Sequence, residues 1–207
     1  MTNLPKPIFC KKTKRALSKI ILLSCLTLVS TSCVYMSQDV KLNPQVNSYS
    51  SKVGKNDKID VVVTDKRDDK TVIGRRGNGM AAVAPINNRQ NLEELIRENV
   101  AKALQKNGFV VVKNNDRILD ISLLTLKYQN LFGFFTIGSK IDSVLDVSVR
   151  NSSGAVLYKN IYRSNLEKRH FMFAPLAYVN EKNINSSFQD VLEEMLNDEN
   201  LIKFLCQ

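Results

Sequence analysis

The sequence has little of what catalytic and metal sites are usually built from. Its 207 residues include one histidine, His170, which argues against a histidine-based triad and excludes a multi-histidine metal site. We interpret His170 as a surface or strand-end residue. Glycine and proline are also scarce, with 8 and 5 residues, while 43% of the residues are hydrophobic and 24% are charged. This composition excludes a disordered or collagen-like chain and predicts a globular domain.

Two segments that suggest ligand binding at first sight lack the residues that such chemistry requires. The glycine-rich run GRRGNG, from Gly74 to Gly79, has no Lys-Ser or Lys-Thr pair for a phosphate, and no helix is predicted directly after it. The carboxylates of Asp65, Asp68 and Asp69 are interleaved with Lys and Arg and do not have EF-hand spacing. We therefore predict that the chain is not an enzyme and has no metal site or cofactor.

Most of the excess positive charge lies in the first part of the chain. The formal net charge is +10 at pH 7, but six basic residues and no acidic ones precede Cys33, so the rest of the chain carries a net charge of +4. There, acidic and basic side chains alternate in stretches such as TDKRDDK, and the concentrated basic patch that nucleic-acid binding requires is missing. The basic excess therefore predicts a targeting segment and no nucleic-acid partner.

A hydrophobic run long enough to cross a membrane is missing as well. The apolar stretch IILLSCLTLVS covers residues 20–30, which is about half of the roughly 20 residues that a membrane-spanning helix needs. It follows a basic region that ends at Lys19 and precedes the small residues Thr31 and Ser32. This three-part order is typical of a signal peptide, which we assign to residues 1–32.

The cysteine that follows these small residues indicates a lipid anchor. The segment STSC resembles the lipobox of bacterial lipoproteins, in which a peptidase cuts before a cysteine that carries diacylglycerol and acyl chains such as palmitate. The family has leucine where this chain has Ser30. Cys25 has Leu22 at that position but a shorter apolar segment before it, so we prefer Cys33 as the lipidated residue. The alternative is that Cys33 is a small buried side chain or a disulfide partner.

The resemblance to lipoproteins also implies a location. An aspartate directly after the lipidated cysteine is typical of inner-membrane retention, whereas this chain has Val34, which implies the outer membrane and its periplasmic side. Residues 33–56 are polar and weakly patterned, and we interpret them as the lipidated N-terminus and a tether. Within this tether, the alternation of Val40 and Leu42 before Pro44 is compatible with a short edge strand.

The remainder of the chain, residues 57–207, has the pattern of an α+β domain. One amphipathic helix begins at a capping box formed by Asn91 and Glu94, and a second carries the apolar stripe from Ile184 to Leu196. Strands are predicted at residues 58–64, 109–112, 118–128, 140–150 and 155–166, a loop at 65–85 and a short turn after 200. We predict a two-layer fold in which an antiparallel or mixed sheet of about five strands has two amphipathic helices on one face.

The order of these elements is similar to the YajG family of bacterial lipoproteins. The similarity covers residues 33–205: Asp65 and Arg67 fit the family's Asp-x-Arg, Gly74 closes its Ile-Gly dipeptide, and the NGF segment at the end of the first helix also matches. The resemblance implies the fold and the envelope location and carries over no catalytic residues. From their charges, we expect Asp65 and Arg67 to anchor the loop after the first strand through a charge-assisted hydrogen bond.

An apolar segment lies in the connection between two long predicted strands. NLFGFFTIGS contains Phe132, Phe134 and Phe135, with Gly133 and Gly138 as candidate bends. One interpretation is that the strands continue and the rings pack onto the core. The other is that the three phenylalanines form an exposed patch that binds a partner or the lipid surface.

Two classes of function fit these features. The first, which we favour, is a non-enzymatic binding or assembly module, held at the membrane by its lipid anchor, with an envelope protein or the cell wall as a possible partner. The second is a ligand carrier or a hydrolase whose site forms only in the folded domain. A carrier or an enzyme predicts an enclosed pocket with convergent polar groups, whereas a module predicts surface patches.

Overall fold

The computed structural model describes residues 36–47, 53–78, 81–171 and 176–206, and these contain eight strands and three helices. The strands are β1 (Gln38–Asp39), β2 (Lys58–Asp65), β3 (Val72–Asn78), β4 (Ala81–Asn87), β5 (Val110–Val111), β6 (Ile118–Phe132), β7 (Thr136–Arg150) and β8 (Val156–Phe171). The helices are α1 (Leu92–Lys106), α2 (Ala177–Leu196) and α3 (Glu199–Leu205). The predicted α+β class with a mixed sheet is confirmed, but the predicted numbers of about five strands and two helices are too low.

The long strand β6 organises the sheet. One of its edges pairs with antiparallel β7, which pairs in turn with antiparallel β8. Its other edge is shared, because Ile118 to Leu123 pair with parallel β2 and, further along, Tyr128 pairs with Gly74 of parallel β3. Strand β5 extends the sheet beyond β2, and β4 followed by β1 extend it beyond β3. The sheet therefore branches along a single edge of β6.

Strands β3 and β4 form a hairpin where the sequence predicts a loop. The segment is rich in glycine and alanine, which have low strand propensity, and its pairing is interrupted by two register shifts. Proline adds to the irregular pattern, because Pro85 lies opposite Arg75 within the hairpin and has no amide hydrogen to donate. The pairing of Gly74 with β6 holds the hairpin in the sheet, and no local sequence pattern indicates this contact.

The hydrophobic core lies between one face of the sheet and the helices. Leu119 and Ile121 of β6, Leu145 of β7 and Ile96 of α1 are all fully buried, as is Phe188 of α2. Helix α1 packs on β2 and β5, and α2 packs on β7 and β8, as the predicted two-layer arrangement requires. The Asn91 side chain accepts a hydrogen bond from the Glu94 amide, so the predicted start of α1 is confirmed.

The first described residues are packed against the domain. The sequence predicts a tether from residue 33 to 56, but in the structure Val40 and Leu42 are 4% and 1% exposed, and β1 pairs with β4. The backbone amides of Asn43, Gln45 and Asn47 donate hydrogen bonds to the side chains of Asn185, Gln189 and Glu193 on α2. Residues 36–47 are therefore packed against the domain and are not part of a loose tether, because two buried apolar side chains and a series of hydrogen bonds hold them in place.

Candidate functional site

The turn between β6 and β7 presents a cluster of phenylalanines. The strands stay paired up to Phe132 and Ile137, and the Gly133 amide closes the turn by donating to the Thr136 carbonyl over 2.8 Å. The rings of Phe134 and Phe135 meet edge to face with centroids 4.5 Å apart. Phe135 also stacks on a fourth ring, Phe171 at the end of β8, at 6.5 Å. We call Phe132, Phe134, Phe135 and Phe171 the aromatic tip.

The rings of the aromatic tip lie outside the core. Phe134 is 93% exposed, Phe135 57% and Phe132 41%, and Phe171, which no sequence pattern links to this turn, is also exposed. The strands continue to Phe132 and from Thr136, as the first interpretation of this segment predicts, but the rings are exposed, as the second predicts. Phe171 joins the cluster because β8 pairs with β7 as far as Thr136, and this register is not visible in the sequence.

The glycines of this hairpin are not both bends. Gly133 lies in the turn, whereas Gly138 lies inside β7, where an added Cβ would be 2.2 Å from the Lys168 carbonyl oxygen. Gly138 therefore allows a close approach of β8 to β7, and this approach brings Phe171 towards the turn.

A buried polar network supports the sheet just below the aromatic tip. The Tyr128 hydroxyl lies 3.1 Å from Oδ1 of both Asn130 and Asn180, and burial raises the pKa of Tyr128 to about 12. The Gln38 side chain donates to the Ala177 carbonyl over 2.6 Å. These contacts tie the start of α2 and strand β1 to the outer part of β6.

The chain enters the domain at the same end. Strand β1 is parallel to β4, which is antiparallel to β3, and β3 is parallel to β6. Met36, which precedes β1, therefore lies at the end towards which β6 runs. The Arg76 guanidinium fixes it there by donating to the Met36 carbonyl from Nη2 at 3.0 Å and from Nε at 3.2 Å. Exposed Met36, Leu176 and Tyr178 add apolar surface at the same end of the domain.

Asp65, Arg67 and Gly74, which match the motif of the YajG family, make contacts that hold the fold together. Arg67 donates from Nε and Nη2 to the two carboxylate oxygens of Asp65 at 2.9 and 2.7 Å, and Nη2 also donates to the Lys70 carbonyl. Burial raises the pKa of Asp65, but the hydrogen bonds and charge of Arg67 outweigh it and hold the pKa below 3.8. At Gly74, an added Cβ would lie 2.2 Å from the Tyr128 carbonyl oxygen. The pair anchors the loop before β3, and the glycine lets β3 reach β6.

A second aromatic cluster lies at the opposite end of the sheet. The hydroxyls of Tyr158 and Tyr162 donate to Asp198 Oδ2 at 2.6 and 2.7 Å, while Asp198 Oδ1 caps α3 by accepting from the Asn200 and Leu201 amides. We call Tyr158, Tyr162 and Asp198 the tyrosine lock. Its only local signal in the sequence is the acidic NDEN segment before the last turn, which by itself does not predict the cluster.

A groove of about 520 Å³ lies beside the tyrosine lock. Its lining is mainly apolar and includes Val53, Leu196, Ile202 and the exposed thiol of Cys206. Burial raises the pKa of Cys206, and the nearby Asp57 carboxylate raises it further, so the thiol is not activated. The lining also includes the charged residues Glu199 and Lys203 and the amide residues Asn107 and Asn197.

Within the described ranges, no three side chains of His, Cys, Asp or Glu come together as a metal site would require. Over the same ranges, no helix is both long and apolar enough to cross a membrane. Cys33 and the predicted signal peptide lie outside the described residues.

Comparison with known proteins assigns a family. A family model described as "uncharacterized lipoprotein" matches residues 44–206. The chain belongs to this lipoprotein family. The match agrees with the resemblance to YajG-type lipoproteins, and no curated protein matches the sequence.

A solved structure shares the fold of this lipoprotein. A protein from Xanthomonas campestris superposes with a TM-score of 0.50 at 12% identity, over 81% of this chain and 94% of that chain. A minor lipoprotein from Acinetobacter baumannii reaches a TM-score of 0.43 at 9% identity, over 68% of this chain and 89% of that chain. At such low identity the similarity to the Xanthomonas campestris protein concerns the fold alone.

Proposed function

We propose that this lipoprotein is a non-enzymatic binding or assembly module on the periplasmic side of the outer membrane, anchored through Cys33, with the aromatic tip as its contact surface. The observation that carries the proposal is the exposure of four phenylalanine rings, three on the β6–β7 hairpin and one at the end of β8. Aromatic rings lose little conformational entropy on binding and bury a large area, so they are frequent anchors of interfaces.

The position of the rings supports a role in contact rather than in folding. Phe134 makes its ring contact with Phe135 and remains 93% exposed, so its side chain gains little from the folded state. Exposed apolar clusters of this kind carry an aggregation risk and usually mark an interaction site. The polar network around Tyr128 keeps the base of the hairpin rigid, which lowers the entropic cost of binding.

A photo-reactive amino acid at position 134, in the full chain and in intact cells, tests this proposal. The matched control carries the same group in place of Val156, which is also exposed but lies at the opposite end of β8. We expect adducts with an envelope component at position 134 and none above background at position 156. Equal adduct formation at both positions would contradict a contact surface at the tip.

Mass analysis of the mature protein tests the anchor separately. We expect the chain to begin at Cys33 and to carry diacylglycerol and an acyl chain. A mature N-terminus elsewhere, or an unmodified Cys33 in membrane fractions, would refute the anchor and leave the contact surface to be judged by the cross-linking result.

A further inference from the structure

The short distance between the predicted anchor and the folded domain limits where the aromatic tip can be. Cys33 is three residues from Met36, and three extended residues span at most about 11 Å. Met36 is not at the end of a loose arm, because Arg76 binds its carbonyl and β1 and the buried Val40 follow directly. A lipid on Cys33 therefore holds the domain close to the membrane surface.

The height of the aromatic tip relative to this anchor follows from the strand register. The Asn130 side chain donates to the Arg75 carbonyl over 3.0 Å, next to the residue that binds Met36, so Met36 and Asn130 lie at a similar level. From Asn130 to Phe132 the strand rises about 7 Å in the direction of the tip. The exposed rings thus lie within the distance of about 11 Å that the chain from Met36 to Cys33 can span, so the rings and the lipid can lie at the same level.

The surface around the aromatic tip has the composition of a membrane-facing surface. At this end of the domain, exposed apolar side chains come from the hairpin, from Met36 and from the start of α2 at Leu176 and Tyr178. Exposed Lys168 and Arg169 stand beside Phe171, with Arg169 in contact with Glu167. Rings with flanking cations suit the boundary between acyl chains and anionic headgroups.

We propose that the aromatic tip inserts into the leaflet that holds the Cys33 lipid, so that the domain stands upright with the tyrosine lock and the groove directed away from the membrane. This inference rests on the proposed function, since it names the bilayer as the occupant of the contact surface. The lipid anchor supplies lasting attachment, and the tip fixes the orientation.

The absence of tryptophan from the sequence makes a direct test possible. The Phe135→Trp variant gains a single tryptophan in the tip. Val156→Trp is the matched control, because Phe135 and Val156 are both 57% exposed and lie at opposite ends of the sheet. The full-length lipoprotein of each variant is reconstituted in vesicles of phosphatidylethanolamine and phosphatidylglycerol, with and without brominated phosphatidylcholine.

We expect the emission of Phe135→Trp to shift to the blue and to be quenched by the brominated lipid, while the emission of Val156→Trp stays as it is in buffer. Equal quenching of the two variants, or no quenching of Phe135→Trp in protein that is bound to the vesicles, would overturn the orientation. Protein adducts in place of lipid adducts at position 134 would also overturn it, although they would support the proposed function. Protein that does not stay with the vesicles would instead refute the anchor.

Discussion

The two ends of the sheet use aromatic residues in opposite ways. At the aromatic tip, four phenylalanines without hydrogen-bonding groups project into solvent. At the tyrosine lock, Tyr162 is 2% exposed and both tyrosine hydroxyls bind a carboxylate that also caps a helix. Aromatic rings therefore stabilise the fold at one end of the sheet, whereas at the other end they are exposed and add little to its stability.

This difference distinguishes the tyrosine lock, which stabilises the fold, from the aromatic tip, which we propose as a contact surface. A buried hydroxyl must find a partner, and Asp198 supplies one for two tyrosines while holding α3 on β8. Burial and these hydrogen bonds both raise the pKa of Tyr162, so the hydroxyl stays protonated and keeps donating. The tip has no comparable partner within the described residues, so its rings are available to something outside the chain.

Among changes at the two ends of the sheet, the largest effect on stability is expected from Asp198→Ala. This change leaves the hydroxyls of Tyr158 and Tyr162 without their acceptor and removes the cap of α3, and we expect the free energy of unfolding to fall by about 2–4 kcal/mol. Urea unfolding measures the loss. Asp198→Asn, which keeps one acceptor oxygen, should lose clearly less, and equal losses in the two variants would show that the carboxylate pairing is unimportant.

A smaller loss of stability than in Asp198→Ala is expected from Gly74→Ala, and a still smaller one from Gly133→Ala. Gly74→Ala places a Cβ against the rigid backbone of Tyr128 and should lower the free energy of unfolding by about 1–3 kcal/mol. In Gly133→Ala the nearest atom is the Thr136 hydroxyl oxygen, 2.5 Å away on a side chain that can rotate, so we expect a change below about 0.5 kcal/mol. A Gly133 variant as unstable as the Gly74 variant would contradict a turn that is free of core packing.

Acid is expected to weaken the tyrosine lock and not the aromatic tip. Burial raises the pKa of Asp198, but the hydrogen bonds from both tyrosines outweigh it and hold the pKa below 3.8. Because the folded-state pKa is the lower one, the carboxylate stabilises the fold above pH 3.8, and this contribution is lost as the pH falls through the folded-state value. Asp198→Asn should flatten the decline of stability in acid, and an unchanged pH profile would refute this assignment.

Much of the domain follows from local sequence patterns. The capping box of α1, the alternation along β6 and β7 and the apolar stripe of α2 each repeat with the period of their element, which is why they are predictable. The β3–β4 hairpin is not, since its order comes from the contact between Gly74 and Tyr128, which are far apart in sequence. Helix α3 is short, and the residue that caps it, Asp198, is also bound by two tyrosines from β8.

The candidate site is predictable in part for the same reason. An apolar turn is visible in the sequence through Phe132, Phe134 and Phe135, but its exposure and the addition of Phe171 depend on strand register. Packing of residues 36–47 was not predicted beyond a short edge strand, because Val40 and Leu42 are isolated apolar residues in a polar segment. Lipidation of Cys33 and the domain boundaries remain predictions.

Unfolding of the double variant Phe134→Ser, Phe135→Ser tests most directly the claim that the aromatic tip serves contact and not folding. Its matched control is Phe188→Ala, which truncates a fully buried ring on α2 and should cost about 3–5 kcal/mol. We predict that the free energy of unfolding of the double variant in urea stays within about 0.5 kcal/mol of the unmodified protein. A loss of more than about 2 kcal/mol would place the rings in the core and contradict the account.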